Sequence, residues 1–315
     1  MKLRGGRIIG AITNPRGKAE SRRGRQGAHN AGTDCFMIGR GNFQQREAAA
    51  TSLSYVVTTS RNPDDHEAER ARRWAARLGR DFVPRAERSL RRICEDEEAE
   101  AVLTVTSERV GLIIPGEDTE YFFHPSMART RIRNIRVGGG DPMVNAMALQ
   151  PGDSVLDCTL GRATDAIVAS YVVGERGRVV GYEAHPLIAA LTIHGLGNYE
   201  IRGKGVQDAM RRIEARHGDC EAVLPEMETG AFDVVYFDPF FEQMVERSQS
   251  MQPLRRIGVH RALSPETFEQ ARRVAERCVI VKRRRGQDIA RLDEPAEIVG
   301  GGGSRVEYVV MRPDD

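Results

Sequence analysis

The stretch "DSVLDCTLGRATDAIVASYVVGERGRVVGYEA", residues 153–184, decides the fold class. It contains a short apolar run that ends on a carboxylate ("SVLD"), a longer apolar segment ("TDAIVASYVV") and a second short run ("GRVVGYEA"). Short runs bounded by turn residues are typical of buried strands, and the longer segment is typical of a helix. A strand, a helix and a strand in this order predict two parallel strands joined by a helical crossover.

The same alternation continues downstream. Ser264-Pro265 has the serine cap and first-turn proline of a helix start, and we expect that helix to run to about Cys278. Two apolar runs joined by glycines in residues 296–313 predict an antiparallel edge. We therefore expect an α/β fold with a Rossmann-like, doubly wound, seven-stranded sheet. The later strands are predicted in "RRIEARHGD" (211–219), "FDVVYFDP" (232–239), "CVIVKR" (278–283) and the two runs of residues 296–313.

Residues 54–140 predict a small N-terminal α/β lobe, and residues 141–315 predict the main domain, with "GGGD" (138–141) as a hinge. Asn62-Pro63-Asp64 opens a helix that Gly79 ends. The strands of the lobe are predicted in "SYVVTTS" (54–60), "DFVPR" (81–85) and residues 100–115, with a turn inside the last.

Residues 1–53 are rich in Gly, Arg and Gln, show no sustained period and predict a disordered basic tail. It is either an arm that binds RNA or a passive or wrongly included segment. Residues 1–50 have a net charge of +7, whereas the whole chain has +2. The remainder is therefore mildly acidic, and its overall charge gives no argument for nucleic-acid binding.

The cysteines and the hydropathy exclude several classes of protein. The five cysteines are far apart and form no C-x-x-C pair, so neither a disulfide framework nor a metal site is predicted. No apolar run approaches the roughly 20 residues that cross a bilayer. The N-terminus lacks the apolar core of a signal peptide. We expect a cytoplasmic protein.

Side chains at the carboxyl ends of the parallel strands form the candidate site, because open α/β sheets bind ligands there. Asp157 ends the first strand, and Gly161 allows a tight turn close to a ligand. A dinucleotide cradle needs G-x-G-x-x-G, of which only Gly161 is present, so a nucleotide-dependent oxidoreductase is disfavoured. Asp157-x-Thr159-x-Gly161-x-Ala163 fits better the acid-x-Gly-x-Gly-x-Gly loop of enzymes that use S-adenosylmethionine (SAM).

Two more acids follow the second and third strands. Glu183 is placed to accept both hydroxyls of a ribose, a group that SAM and NAD share. Asp219 is placed to accept a hydrogen bond from an adenine amino group, and the amide of Cys220 to donate one to a ring nitrogen. Each acid alone is better explained as a helix cap or a solvated strand end. Three acids at three successive strand ends favour a ligand site.

The fourth strand ends on Asp238-Pro239-Phe240-Phe241, our candidate catalytic residues. This sequence resembles the Asp/Asn-Pro-Pro-Tyr/Phe motif of methyltransferases that act on exocyclic amino groups of bases. Asp238 and the carbonyl of Pro239 can accept hydrogen bonds from an amino group and hold its lone pair toward a methyl donor. Phe241 can stack on an unpaired or flipped-out base. The alternative is a capped turn with two core phenylalanines.

Residues 54–312 as a whole resemble the bacterial class I SAM-dependent methyltransferases related to the small-subunit ribosomal RNA guanine-N2 methyltransferase, especially uncharacterised relatives from Gram-positive bacteria. The resemblance rests on "VTTS", "FVPR", "FFHPSMA", "GDSVLDCTLG", "DAIVASYVVG" and "FDVVYFDPFF". Arg162 or Ala163 stands where the family usually carries another glycine, and Phe240 stands where it often carries Met. The resemblance implies the methyltransferase form of the sheet, SAM as cofactor, and a cofactor site lined by Thr164, Asp165, Glu183, Ala184, Asp219 and Asp238.

Two basic runs follow the fourth and fifth strands, on the same rim as the candidate site. Clustered Arg and Lys beside a cleft can hold RNA phosphates, although a solvated charged face is the alternative. We therefore predict methyl transfer from SAM to an exocyclic amino nitrogen, with guanine N2 of ribosomal RNA as the favoured target. The alternatives are methylation of a protein or small-molecule nitrogen, and a non-catalytic RNA-binding protein. The candidate RNA contacts are Arg255, Arg256, Lys282, Arg283, Arg284 and Arg285.

Overall fold

A computed structural model describes residues 53–117, 120–201, 203–239, 263–287, 297–300 and 305–312. Apart from Leu53, the predicted basic tail lies outside these ranges. The strands are β1 Tyr55–Thr59, β2 Ala101–Val105, β3 Val110–Ile113, β4 Glu120–Phe122, β5 Ser154–Asp157, β6 Arg178–Glu183, β7 Glu214–His217, β8 Phe232–Phe237, β9 Ala275–Arg284, β10 Glu297–Val299 and β11 Val306–Met311. The helices are α1 Asp65–Leu78, α2 Leu90–Asp96, α3 Ser126–Arg136, α4 Pro142–Met147, α5 Thr164–Val173, α6 Pro186–Asn198, α7 Lys204–Arg212, α8 Cys220–Val223 and α9 Pro265–Val274.

Within the described ranges β1 to β4 form a small sheet in the order β1-β2-β3-β4. The first two strands are parallel, and the remaining pairs are antiparallel. The side chain of Asp64 accepts the amide of Glu67 and begins α1, and Gly79 ends it with φ of 61°. Both helix ends were predicted. The predicted strand at residues 81–85 is wrong, because its pairing is reduced to an isolated bridge between Phe82 and Val57.

The seven strands of the large sheet have the order β10-β11-β9-β8-β5-β6-β7, which confirms the predicted sheet. Strands β5 to β9 pair in parallel, and β10 and β11 add antiparallel pairs at one edge. The chain runs outward from β5 to β7 and then returns to place β8 on the other side of β5. The switch point where ligands bind in such sheets therefore lies between the carboxyl ends of β5 and β8.

Two predicted boundaries were wrong. Helix α9 ends at Val274 rather than near Cys278, because Ala275 already pairs with Phe232 in the sheet. The third strand was predicted over residues 211–219, but Arg211 and Arg212 belong to the last turn of α7. That helix was missed, although its buried residues Val206, Ala209 and Met210 recur at the spacing of one helix face.

Helix α6 contacts both sheets. It packs beside β6 and β7 of the large sheet. Its apolar residues Leu187, Ile188 and Leu191 also belong to the buried cluster that fills the small sheet, together with Trp74 and Leu103. One helix therefore contributes to the cores under both sheets. None of the helices in the described ranges combines the length and the apolar character needed to cross a membrane.

Candidate active site

The end of β5 is joined to the end of β8 by side-chain hydrogen bonds. The carboxyl group of Asp157 accepts the amide of Thr159 at 3.0 Å. The hydroxyl oxygen of Thr159 in turn accepts the amide of Asp238 at 2.6 Å. The predicted cofactor loop and the predicted catalytic stretch are therefore in direct contact at the switch point of the sheet.

Glu183, at the end of β6, holds the same loop from the other side. Its Oε2 accepts the amide of Gly161 at 2.9 Å, and its Oε1 accepts the amide of His185 at 2.8 Å. Each carboxylate oxygen can accept a further hydrogen bond. Burial raises the pKa of Glu183, while the two backbone donors act in the opposite direction. Glu183 thus orders the loop and keeps acceptor capacity for further hydrogen bonds.

Two residues with left-handed backbone conformation bend the loop between β5 and α5. Gly161 has φ of 50°, and Ala163 has φ of 59° immediately before the helix. A left-handed residue with a Cβ costs roughly 1–2 kcal/mol, which a glycine avoids. The glycine that the family usually carries at or next to this position therefore has a conformational reason, and Ala163 adopts the conformation without it. Thr164 then begins α5.

The carboxylate of Asp165 points into a buried polar network. It receives hydrogen bonds from the guanidinium of Arg131, from the hydroxyl of Tyr236 at 2.9 Å and from the ammonium of Lys282 at 3.0 Å. Burial alone would raise the pKa of Asp165, but Lys282 and Arg131 outweigh it and hold the pKa well below its usual range. Asp165 is therefore a carboxylate, bound by two cations.

Asp238 lies at the other end of that network. Its Oδ2 accepts the ammonium of Lys282 at 2.7 Å. Burial raises the pKa of Asp238 to about 6, with Lys282 acting against the shift and Asp165 adding to it. Asp238 is consequently ionised at neutral pH. Pro239 follows it and is buried, whereas the predicted catalytic residues Phe240 and Phe241 lie outside the described residues.

Asp157 carries a different charge state from its neighbours. Burial raises its pKa to about 8, and the carboxylates of Asp165, Asp238 and Glu183 push in the same direction. The amide of Thr159 opposes the shift. At neutral pH the buried Asp157 therefore holds a proton, which removes one negative charge from a crowded cluster of acids.

Asp219 sits one strand further out, at the end of β7. Its side chain accepts the amide of Glu221 at 3.0 Å and caps α8, which is the structural alternative considered for it. Cys220 is buried, and the carbonyl of Ala184 lies 3.1 Å from Nε2 of His217. The hydrogen bonds described above join Asp157, Thr159, Gly161, Glu183, Asp165 and Asp238 in two groups, and Asp219 belongs to neither.

The structure corrects two predicted RNA contacts. Lys282 is mostly buried and binds two aspartates, so it is not available to RNA phosphates. Arg283 is equally buried, and its guanidinium pairs with Glu307 at 2.7 Å. Arg285 is exposed. Arg255 and Arg256 lie outside the described residues.

Arg131 was not predicted as a site residue, and Lys282 was predicted to bind RNA but binds Asp165 and Asp238. The alternation in β9 was a usable signal. Cys278 and Ile280 lie in the buried cluster on one face of the sheet, and Lys282, two residues after Ile280, faces the same side. The "FFHPSMA" resemblance pointed to the segment that leads into Arg131, but not to its partners. Within the described ranges no group of three or more His, Cys, Asp or Glu is arranged to hold a metal ion.

Comparison with known proteins identifies a family for this chain. A family profile described as "Putative SAM-dependent methyltransferase" matches residues 87–307. Uncharacterized protein YpiP of Bacillus subtilis (strain 168) is 36% identical over 227 residues, which cover 72% of this chain and 88% of that protein. Ribosomal RNA small subunit methyltransferase J of Pseudomonas aeruginosa (strain LESB58) is 30% identical over 253 residues, which cover 76% of this chain and 89% of that protein.

A solved structure supports the fold. The SAM-dependent methyltransferase NGO1261 from Neisseria gonorrhoeae matches with a TM-score of 0.53 at 23% identity, over 82% of this chain and 96% of that chain. The family profile spans well over half of the chain, and the resemblance seen in the sequence is confirmed. The chain therefore belongs to the SAM-dependent methyltransferase family, and SAM is its cofactor.

Proposed function

We propose that this methyltransferase acts on an exocyclic amino nitrogen of RNA, with guanine N2 in ribosomal RNA as its target. The observation that carries the proposal is the position of Asp238-Pro239. Its carboxylate is held by Lys282, and its backbone is tied to the cofactor loop through Thr159, at the switch point of the sheet. The name of the Pseudomonas aeruginosa relative, a ribosomal RNA small subunit methyltransferase, supports RNA as the substrate.

Residues of the β5 and β6 ends fit the cofactor. SAM supplies a methyl group on a positively charged sulfur, which a nitrogen lone pair can attack. Glu183 is proposed to accept the ribose hydroxyls with the acceptor capacity that its two backbone donors leave. Gly161 leaves room beside the loop, because a Cβ at that position would meet its nearest neighbour at 3.8 Å. The other proposed cofactor-site residues are Asp157, Thr159, Thr164, Asp165, Ala184, Asp219, Cys220 and Asp238.

Asp238 and Pro239 are proposed to present the amino group. The Asp238 carboxylate and the Pro239 carbonyl accept its two N–H groups, so that the lone pair faces the methyl carbon. With SAM bound, transfer of its methyl group would leave a positive charge on the nitrogen and a neutral thioether as the leaving group. An ionised Asp238 stabilises that charge and can receive the released proton. Phe241, a candidate catalytic residue together with Phe240, is proposed to stack on the base.

The decisive experiment is transfer of tritiated methyl from SAM into total RNA from a strain in which this gene is deleted. RNA from the parent strain, already methylated, is the control. We expect label in the RNA of the deletion strain alone, recovered as N2-methylguanosine after nuclease digestion. Label in protein or in small molecules would favour the alternative substrates, and SAM binding without any transfer would indicate a non-catalytic protein.

Substitutions of Asp238 test its role once the RNA is identified. Asp238→Ala is expected to lower the single-turnover rate by at least about 100-fold while changing SAM affinity little, because the lost contact matters most as the nitrogen attacks. Asp238→Asn is expected to be milder, since its carbonyl oxygen still accepts a hydrogen bond. An Asp238→Ala protein that methylates at the parental rate would remove Asp238 from the reaction.

A further inference from the structure

Lys282 is placed between two carboxylates at the catalytic edge of the sheet. Its ammonium lies 2.7 Å from Oδ2 of Asp238 and 3.0 Å from Oδ2 of Asp165. Its side chain is only 19% exposed. Strand β9 lies beside β8 in the sheet, so this lysine reaches Asp238 from the neighbouring strand. Burial alone would lower the pKa of Lys282, but the two aspartates outweigh it and raise the pKa, so the amine is charged.

Stability alone is a weak explanation for this arrangement. The attraction within a buried ion pair is little larger than the free energy needed to remove both charges from water. Well-packed apolar residues can often replace such a pair without loss of stability. Lys282 follows the apolar residues Cys278 and Ile280 on the same face of β9, where a further apolar side chain would suit the core. The charge is found instead at the one point where β9 passes the proposed catalytic carboxylate.

We propose that Lys282 is a positioning residue for methyl transfer, which fixes Oδ2 of Asp238 and leaves Oδ1 to accept the substrate amino group. This inference rests on the proposed function. The second contact of Lys282, to Asp165, connects Asp238 to the first turn of α5, the helix that follows the cofactor loop. Arg131 binds Asp165 and Asp141 and closes the network on the other side.

The charge balance around Asp238 predicts the effect of removing the lysine. Burial raises the pKa of Asp238, Lys282 lowers it and Asp165 raises it further. Together these effects give a pKa of about 6. Without the lysine the pKa of Asp238 rises and less of the carboxylate is ionised at pH 7. The titratable and charged groups of the described residues that act on Asp238 or on its cationic partner are Asp157, Asp165, Tyr236, Lys282 and Tyr308, with Arg131 and Asp141 behind them.

The first test compares Lys282→Met with Lys282→Arg and with the control Arg277→Met. Arg277 lies on the same strand five residues earlier and pairs with Asp153 at 2.6 Å, so its loss removes a cation of β9 away from Asp238. In single-turnover reactions with SAM and RNA from the deletion strain, we expect Lys282→Met to be at least about tenfold slower at pH 7, which corresponds to about 1.4 kcal/mol. The rising limb of its pH–rate profile should move to higher pH, whereas Lys282→Arg should keep the parental midpoint.

A second variant covers the case in which Lys282→Met does not fold. The double substitution Asp238→Asn with Lys282→Met removes one buried charge of each sign. If Lys282 acts through Asp238, this protein should react as fast as Asp238→Asn alone. A double variant that is tenfold slower than Asp238→Asn would overturn the inference, and so would a Lys282→Met protein with the parental rate and pH profile.

A measurement without substrate separates this inference from the proposed function. The carboxyl carbon of Asp238 is followed by NMR against pH, and its signal is identified by its absence in Asp238→Asn. In Lys282→Met we expect its titration midpoint to rise by about one unit or more, the usual effect of losing an opposite charge. An unchanged midpoint refutes the role of Lys282. A raised midpoint in a protein that methylates no RNA would instead refute the proposed substrate.

Discussion

At the scale of single residues, Asp157 shows how the site tolerates several acids in a small volume. Burial raises its pKa to about 8, from an ordinary value of 3.8. The folded protein therefore binds this proton more tightly than the unfolded chain does. Its contribution to stability is fully present below about pH 4 and is lost as the pH rises through 8.

Asp157→Asn should remove this dependence. The amide has no charge to desolvate, and its carbonyl can still accept the Thr159 amide. We expect the melting temperature of the cofactor-free variant to exceed that of the parent by an amount that grows between pH 5 and pH 8. At pH 8 its free energy of unfolding should exceed that of the parent by at least about 1.4 kcal/mol, the value of one pKa unit. The exposed Asp81→Asn is the control. A difference that stays constant across this pH range would show that Asp157 is ionised throughout.

Glu183 is the second residue with a separable prediction. Glu183→Gln keeps the size of the side chain but has one acceptor oxygen for the amides of Gly161 and His185, so the loop and the ribose contact should both weaken. We expect SAM affinity measured by calorimetry to fall by about 1–3 kcal/mol.

Glu214→Gln is the matched control for this prediction. Glu214 lies on β7 with its side chain 44% exposed and pairs with Arg178, away from the cofactor loop. Its substitution should leave SAM affinity unchanged. Equal affinity in the Glu183→Gln protein would exclude Glu183 from the cofactor site.

At the scale of elements, the aspartates that cap α1 and α4 differ in their other contacts. Asp64 caps α1 and is exposed. Asp141 caps α4, is buried, and also binds Arg131 through hydrogen bonds of 2.7 and 2.8 Å. The predicted hinge at residues 138–141 is thus tied to α3 by an ion pair at its last residue.

Substituting the two caps separates the contribution of helix capping from that of the ion pair with Arg131. Asp64→Ala should cost about 1 kcal/mol, the usual value of an N-cap. Asp141→Ala removes the cap and also takes one of the two carboxylate partners of the half-buried Arg131, so it should cost about 3–5 kcal/mol. Asp141→Asn, which keeps the cap and loses the charge, should fall between them. Free energies of unfolding in urea measure all three, and equal costs for the two alanine variants would show that the ion pair contributes nothing.

At the scale of the whole molecule, α6 makes the two sheets share a core. The sequence predicted a small lobe in residues 54–140 and a main domain in residues 141–315. Yet Leu187 and Leu191 of α6 pack in the cluster of the small sheet, and Trp74 of α1 lies edge-on to His194 of α6 with ring centroids 5.3 Å apart. Two regions that share a helix in this way should lose their structure together.

Thermal or urea unfolding tests this directly, because Trp74 is the single tryptophan of the chain. Its fluorescence reports on the small sheet and α6, whereas far-ultraviolet circular dichroism reports on all helices and strands. We expect the two transitions to coincide, as in a cooperative unit. Leu191→Ala should lower both midpoints together. Two separated transitions would indicate that the lobe unfolds by itself.

The sequence by itself determined the features that depend on local pattern. Alternating apolar runs and helix signals predicted the parallel strands, their order along the chain and the antiparallel edge. Because parallel strands all end at one edge, the same pattern placed Asp157, Glu183 and Asp238 at the edge where ligands bind.

Tertiary structure decided which charges face one another. Lys282 was predicted to meet RNA phosphates, but sheet order brings β9 beside β8 and gives it Asp238 as a partner. Arg131 and Asp165 are 34 residues apart and meet only because α3 packs against α5. Apolar patterns along the chain record whether a side chain is buried, since burial sets the choice of residue at each position. They do not record the neighbours of a buried charge, because distant segments supply them.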